Sequence, residues 1–507
     1  MKSFNPYIVI IFWLLLSRMS LISVLYAQVT IEPGSFITVK EGSSLMIGTD
    51  LHIKSNATSS GYFVDKTIDG DVKITGNIAV ERYMTAEMWH NVASPVSNEN
   101  VSCFTGTDLV FWYNETLILN DWNFGWVWDT IGPLTVFRGY DVYFDGSPVL
   151  VTYHATGTQK LNTGAYSVTV TSTLSDPTET APHKGWNLVG NPYPSPVDWL
   201  ATGWNKSSIH DVKYIWDGIH DIYTIFVGGG SPIGINGGTR FIPSNQGFWV
   251  QATQTGSFGI QNSVRLGDIT GTPDYYKIKP VDYPLVSLVT SGNNKSDEVV
   301  IRFIEGTTEG FDLDYDASKL FSPVETVPQL SIQSGNQVMA LNTLPQITDN
   351  LGVELDFLCG KSGYYTISLS QRTNLDPKIK LYLKDELLRK LVNMTQNPVY
   401  QFYHEPANNK NRFKIYFNPS DELLNDISSD TYFSVFADKN TITVIRNTEV
   451  DLPAVMTVYN MLGQALCMET LGFANKSSFR VSFPPGYYIV SIKSNRHSSN
   501  SKILITE

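Results

Sequence analysis

Three aspartates at alternate positions, Asp312, Asp314 and Asp316, form a compact group of potential metal ligands. Carboxylate oxygens spaced in this way can converge on a hard cation such as Ca²⁺. A helix-loop-helix calcium loop would need Gly at position 317 and an acid at 323, where Ala317 and Pro323 stand. A looser structural calcium loop and a solvated acidic turn are the two readings left. His210-Asp211 and His220-Asp221 are expected to face each other across a hairpin turning at Asp217-Gly218. There they could ligate a metal, share a proton, or simply pair across strands. Gly360-Lys361-Ser362 has the ending of a phosphate-binding loop, but Leu355 stands where its first glycine belongs, and no helix is expected to follow. Glu305 and Glu309 are a close acid pair in the third region, but glycoside cleavage depends on a carboxylate separation that sequence does not supply. Neither HExxH nor GxSxG occurs. No catalytic residue and no cofactor beyond structural calcium follows from this inventory, and the chain is expected not to be an enzyme.

Aromatic residues crowd one stretch: Phe111-Trp112-Tyr113, Trp122, Phe124, Trp126 and Trp128, interleaved with Asn and Gly. Exposed rings on β loops bind sugars or proteins by stacking and amphipathic contact. Trp112, Tyr113 and Trp122 are therefore candidates for an extracellular glycan or protein ligand surface. The alternation of Trp126 and Trp128 suits core packing instead.

These side chains must be held by a β framework. Hydrophobic residues make up 42% of the 507 and charged residues only 17%, so the chain can bury several cores and is not a disordered polymer. Aromatic and β-branched residues fit pleated surfaces, and helix-favouring runs are scarce, Lys384 to Lys390 being nearly the only one. The fold class expected is all-β, in several tandem domains. Residues 28–85 hold very short alternating segments that suit a small β-solenoid or a meander. Residues 86–270 contain a repeat. Trp89-His90-Asn91-Val92 matches Trp186-Asn187-Leu188-Val189, and Arg138-Gly139-Tyr140-Asp141 matches Gln246-Gly247-Phe248-Trp249, in the same order. A duplicated β unit follows. Residues 281–418 alternate as a β-sandwich, 419–435 read as a linker, and 436–507 as a small Ig-like sandwich.

The formal net charge of −12 and the lack of a basic stripe exclude nucleic acid as a partner. Cys103, Cys359 and Cys467 lie too far apart for a zinc site or a disulfide framework, and are read as free thiols. Residues 1–27 have a basic start, an apolar core and a small residue at Ala27, the pattern of a cleaved signal peptide. No stretch is apolar for long enough to be expected as a transmembrane span.

Val458-Tyr459-Asn460-Met461-Leu462-Gly463-Gln464 and Pro485-Gly486-Tyr487-Tyr488-Ile489-Val490 closely resemble the two hallmark motifs of the type A sorting domain of the type IX secretion system. The segment Gly185 to Asp198, with Gly247 to Val250, resembles a module common in cargo proteins of that system. The resemblance implies export through the periplasm and outer membrane, with Gly463, Gln464, Gly486 and Tyr487 as the sorting signal. It further implies the secretion machinery and its sortase as partners, with removal of the tag and attachment to surface polysaccharide. The mature protein is then expected to be secreted or displayed on the cell surface as a non-catalytic adhesin, matrix or binding protein. A secreted hydrolase with a loop-borne active site and a purely structural envelope protein are the alternatives.

Overall fold

The computed structural model describes residues 28–505, apart from 68–71, 108, 118–124, 157–159, 175–183, 267–281, 427–431, 447–451 and 474–475. The expected signal peptide and Trp122 lie outside the described residues. About 52% of the structure is strand and 3% helix, so the chain is all-β.

The first region winds as a parallel solenoid. Its strands are β1 (Gln28–Ile31), β2 (Phe36–Val39), β3 (Leu45–Ile47), β4 (Asp50–Ile53), β5 (Tyr62–Asp65), β6 (Val72–Ile74) and β7 (Ile78–Met84). β1, β4 and β7 stack in parallel, as do β2 with β5 and β3 with β6, which makes three short sheets around one core. Parallel stacking puts like on like: Ile31, Ile53 and Val80 form one buried column. Gln28 meets Asp50 whereas Leu51 meets Ile78, so successive rungs differ in length and the period in the sequence is irregular.

The duplicated region follows with β8 (Trp89–Val92), β9 (Val110–Tyr113), β10 (Trp126–Trp128), β11 (Tyr140–Tyr143), β12 (Val149–Ala155), β13 (Tyr166–Val170) and β14 (Trp186–Gly190). It continues with β15 (Val197–Asp198), β16 (Trp204–Asn205), β17 (Val212–Asp217), β18 (Ile222–Val227), β19 (Ile233–Ile235), β20 (Phe241–Ile242), β21 (Gly247–Gln251) and β22 (Gly256–Ile260). The first unit orders its sheet β8-β11-β9-β10, and the second β14-β21-β17-β18-β19. Matching strands occupy matching places. β12 closes back on β7 just as β22 closes on β13, and β12 thereby covers the open edge of the solenoid.

The two units meet reciprocally. Val92 bridges Gln246, and the equivalent Val189 bridges Arg138. A Cβ on Gly139 would lie 2.5 Å from the Val189 carbonyl oxygen, and one on the equivalent Gly247 would lie 2.8 Å from the Asn91 backbone. Both repeats keep glycine here because the backbones touch. Arg265 then clamps the second unit to the solenoid. Its buried guanidinium donates to the carbonyls of Phe63 and Asp65 at 2.7 and 3.0 Å and to Ser195 Oγ at 3.0 Å.

The region expected as a sandwich is one continuous eleven-stranded sheet, from Leu285–Gly292 to Asn411–Phe417, curled nearly closed around a single core. Leu285, Val300 and Leu341 share an apolar cluster with Tyr214 and Trp249, so this sheet packs directly on the second repeat. The helix-favouring run after Lys384 is a hairpin instead. Asp385, buried against Arg412, accepts the amides of Leu387 and Leu388 and turns the chain between Leu381–Asp385 and Lys390–Asn393. The expected linker holds a six-residue helix, Asp421–Asp426. The C-terminal region is two sheets of three and four strands over one core. All three cysteines are unpaired.

Candidate functional site

Period-two alternation decides which rings of the first repeat share a face. Across β8, β11, β9 and β10, Tyr143 pairs with Trp89, Asp141 with both Asn91 and Phe111, and Trp126 with Tyr113. These residues therefore lie on one side of the sheet. The second repeat brings Trp216, Tyr223 and Trp249 against that side, and Pro323 and Val324, from a loop of the third region, also line the space. The result is a cleft of about 590 Å³ walled mainly by aromatic rings. Trp89 lies 5.9 Å from Phe111 and 5.2 Å from Tyr143 between ring centres, and Trp216 lies 5.0 Å from Tyr223. Trp89, Phe111, Trp126, Tyr143 and Trp216 are each only partly buried, which leaves ring surface open to a ligand.

Polar groups meet at the base. Trp249 Nε1 donates to Asn91 Oδ1 at 3.0 Å, and Asn91 Nδ2 donates to Asp141 Oδ1 at 2.8 Å. Burial pushes the Asp141 carboxyl well above the usual carboxylate range, and the Asn91 hydrogen bond opposes that shift only in part. Asp221 also lines the cleft and pairs with Lys295 at 2.7 Å, while Glu87 is exposed at the rim. A second, polar cleft of about 390 Å³ adjoins the first. It shares Trp89, Asn91 and Trp216 with it and is walled beyond them by the Ser55–Ser60 turn of the solenoid.

The sequence-expected surface is rearranged by this alternation. Trp112 and Tyr113 are neighbours on one strand and alternate to opposite faces, although both border a small cleft of about 180 Å³ with Asn114 and Arg138. Trp112 packs toward the solenoid core, with the Arg138 guanidinium 4.3 Å from its ring centre. Tyr113 is buried in the junction, 4.9 Å from Trp249 and 5.2 Å from Trp126. The rings that do line the cleft include Trp126, from the alternating pair assigned to packing.

The three aspartates do not converge either. Asp312 accepts from the Thr308 amide and hydroxyl, Asp316 accepts from the amides of Asp312 and Thr343, and Asp314 is exposed. Burial pushes the Asp316 carboxyl up to about 7. Among the described residues, no group of three or more His, Cys, Asp or Glu side chains is placed to hold a metal ion. His210 and His220 stand at opposite ends of their hairpin, because Val212–Asp217 pairs with Ile222–Val227 and the turn consumes His220 and Asp221. His220 instead bonds Asp217 at 2.7 Å within that turn.

In the C-terminal sandwich, Gly463 takes φ +82° in an exposed turn where Asn460 Oδ1 accepts the amides of Leu462 and Gln464. Pairing of Tyr459 with Ile489 sets this turn at the same end of the sheet as Gly486 and the exposed Tyr487.

A family model described as a domain of unknown function, DUF8693, matches residues 16–417. The chain belongs to this family. No curated protein matches it. The DUF8693 match ends at Phe417, the last residue of the curled sheet, so it takes in the solenoid, both repeats and that sheet, and leaves out the C-terminal sandwich. The aromatic cleft lies wholly inside the DUF8693 region.

Asn91 and Asp141 were the residues that sequence reading missed. Their signal lay in the repeat itself, since the aligned positions of the second unit are Leu188 and Trp249. Those two are also cross-strand partners, buried in an apolar cluster.

Proposed function

We propose that the protein is a non-catalytic binding protein, exported and displayed on the cell surface, whose ligand is a glycan held in the aromatic cleft. The observation that carries this reading is the contrast between the repeats. One cross-strand position is Leu188–Trp249 in the second unit and Asn91–Asp141 in the first. An apolar pair satisfies the fold at that place, so a polar pair there, with Asn91 buried and Asp141 partly so, costs stability that folding does not require. Set among partly exposed indoles, it supplies the few directional hydrogen bonds that orient a sugar, while the rings supply stacking area.

Export is supported by the C-terminal sandwich, whose two motif segments sit together on an exposed sheet end. Recognition there by the type IX machinery and its sortase, followed by attachment to surface polysaccharide, is part of the same proposal. For structural calcium at the Asp312–Asp316 loop no further support is added, since among the described residues no group of three or more His, Cys, Asp or Glu side chains is placed to hold a metal ion.

The test is an oligosaccharide array probed with the mature chain and with Trp89→Ala. Binding by the parent that falls at least about tenfold in the variant, the loss of one stacking ring, is expected. No glycan binding by the parent would overturn the reading, as would hydrolysis of a bound glycan that Asp141→Asn abolishes.

A further inference from the structure

The charges lining the cleft are unbalanced in a way that specifies the ligand. Glu87, Asp141 and Asp221 contribute carboxyls, and no Lys, Arg or His is among the lining residues. Asp221 is already neutralised by Lys295 at 2.7 Å. Asp141 receives a neutral amide donor from Asn91, and among the described residues no cation lies within ion-pair distance of it. A partly buried carboxyl without a counter-ion is held at a cost, and a ligand that brings the missing positive charge removes that cost on binding. The walls suit the same charge. Trp89, Trp126, Tyr143 and Trp216 line it, and the π systems of such rings attract ammonium groups when water is excluded. A neutral sugar uses the rings but leaves Asp141 uncompensated.

We infer that the cleft selects a glycan carrying an unsubstituted amine, the chemistry of a free amino sugar, with Asp141 as the counter-charge to its ammonium group. This rests on the glycan-binding reading above and narrows its ligand class. The second repeat has no equivalent, because Trp249 occupies the place of Asp141. Burial keeps the Asp141 carboxyl protonated further up the pH scale, so ammonium binding is accompanied by proton release and strengthens as pH rises toward the point where the ligand amine itself loses its charge.

The experiment is calorimetric titration of the mature chain with a glucosamine oligomer and with the N-acetylated oligomer of the same length, at a mildly acidic and at a near-neutral pH, the free-amine preference being larger at the higher one. The free-amine oligomer should bind about tenfold tighter or more, as expected for a desolvated charge contact. Asp141→Asn should erase that preference, and a single cooperative melting transition of the variant shows that it is folded. Equal affinity of the parent for both oligomers, or a preference that survives in Asp141→Asn, would overturn the ammonium inference and leave the glycan reading standing. Binding of neither oligomer would overturn the inference together with that reading if the array is also blank. Tighter binding of a lysine-rich peptide than of either sugar would replace the ligand class.

Discussion

Replacing Asp141 by Asn should stabilise the free protein, and the gain should grow with pH. In the native state burial raises the Asp141 carboxyl well above its ordinary range, whereas in the unfolded chain it ionises near the usual aspartate value of about 3.9. Below that value both states carry the proton, and parent and variant differ little. Above it the unfolded state ionises first, so the parent loses stability as pH rises, and the loss levels off once pH passes the native value. Within that window the slope approaches about 1.4 kcal/mol per pH unit for a single group. A cooperative unit of the size of the solenoid with both repeats shifts by about 2–4 °C per kcal/mol, which makes the expected difference about 3–6 °C per pH unit. Asn at this position keeps the shape and can still accept from Asn91 Nδ2, so the comparison isolates the charge. Tryptophan-fluorescence melts of parent and Asp141→Asn between about pH 4 and pH 8 read this directly, because titrations common to both proteins cancel. Parallel melting curves across that range, or a parent that gains on the variant as pH rises, would refute the argument that Asp141 is held uncompensated.

Two further outcomes test other parts of the molecule. Asp385→Ala should lower stability by about 3–5 kcal/mol in denaturant unfolding, because it strands the buried Arg412 guanidinium and removes the acceptor of the Tyr400 hydroxyl, whereas Glu32→Ala, which breaks an exposed pair with Lys54, should cost under about 1 kcal/mol. Deleting residues 436–507 should hold the protein in the periplasm when cells are fractionated; normal surface display of the truncated chain would sink the sorting assignment.

What could be read from the sequence divides along a physical line. Local alternation and turn residues reveal strands, and the matched Trp and Gly motifs reveal the duplication, because both are short-range patterns. Pairing partners are long-range. That the first seven strands stack in parallel depends on which segment returns beside which after a full turn, and rungs of unequal length hide the repeat. The run after Lys384 shows tertiary structure overriding propensity, since a buried salt bridge at Asp385 secures a turn where helix formers stand. The histidine pairs were misplaced by a few residues of hairpin register, enough to put them at opposite ends. Trp112 and Tyr113 were grouped as neighbours in sequence, yet adjacency within a strand sends side chains to opposite faces.

The cleft shows how a duplicated unit can build an asymmetric site without spoiling its fold. The pseudo-symmetric backbone contact, with glycine at 139 and 247, must be kept by both halves, since any side chain there would enter the partner's backbone. The cross-strand pair beside it carries no such constraint. In the second unit that pair is Leu188 and Trp249, and it helps to anchor the curled third sheet through their shared apolar cluster. In the first unit it is free to be polar, because Trp249 comes across the interface and donates its indole hydrogen to Asn91, which in turn holds Asp141. One repeat therefore bears the packing and the other the polar pair of the cleft. The indole that is core for the second unit is a support for the first, so the site cannot form in either repeat alone.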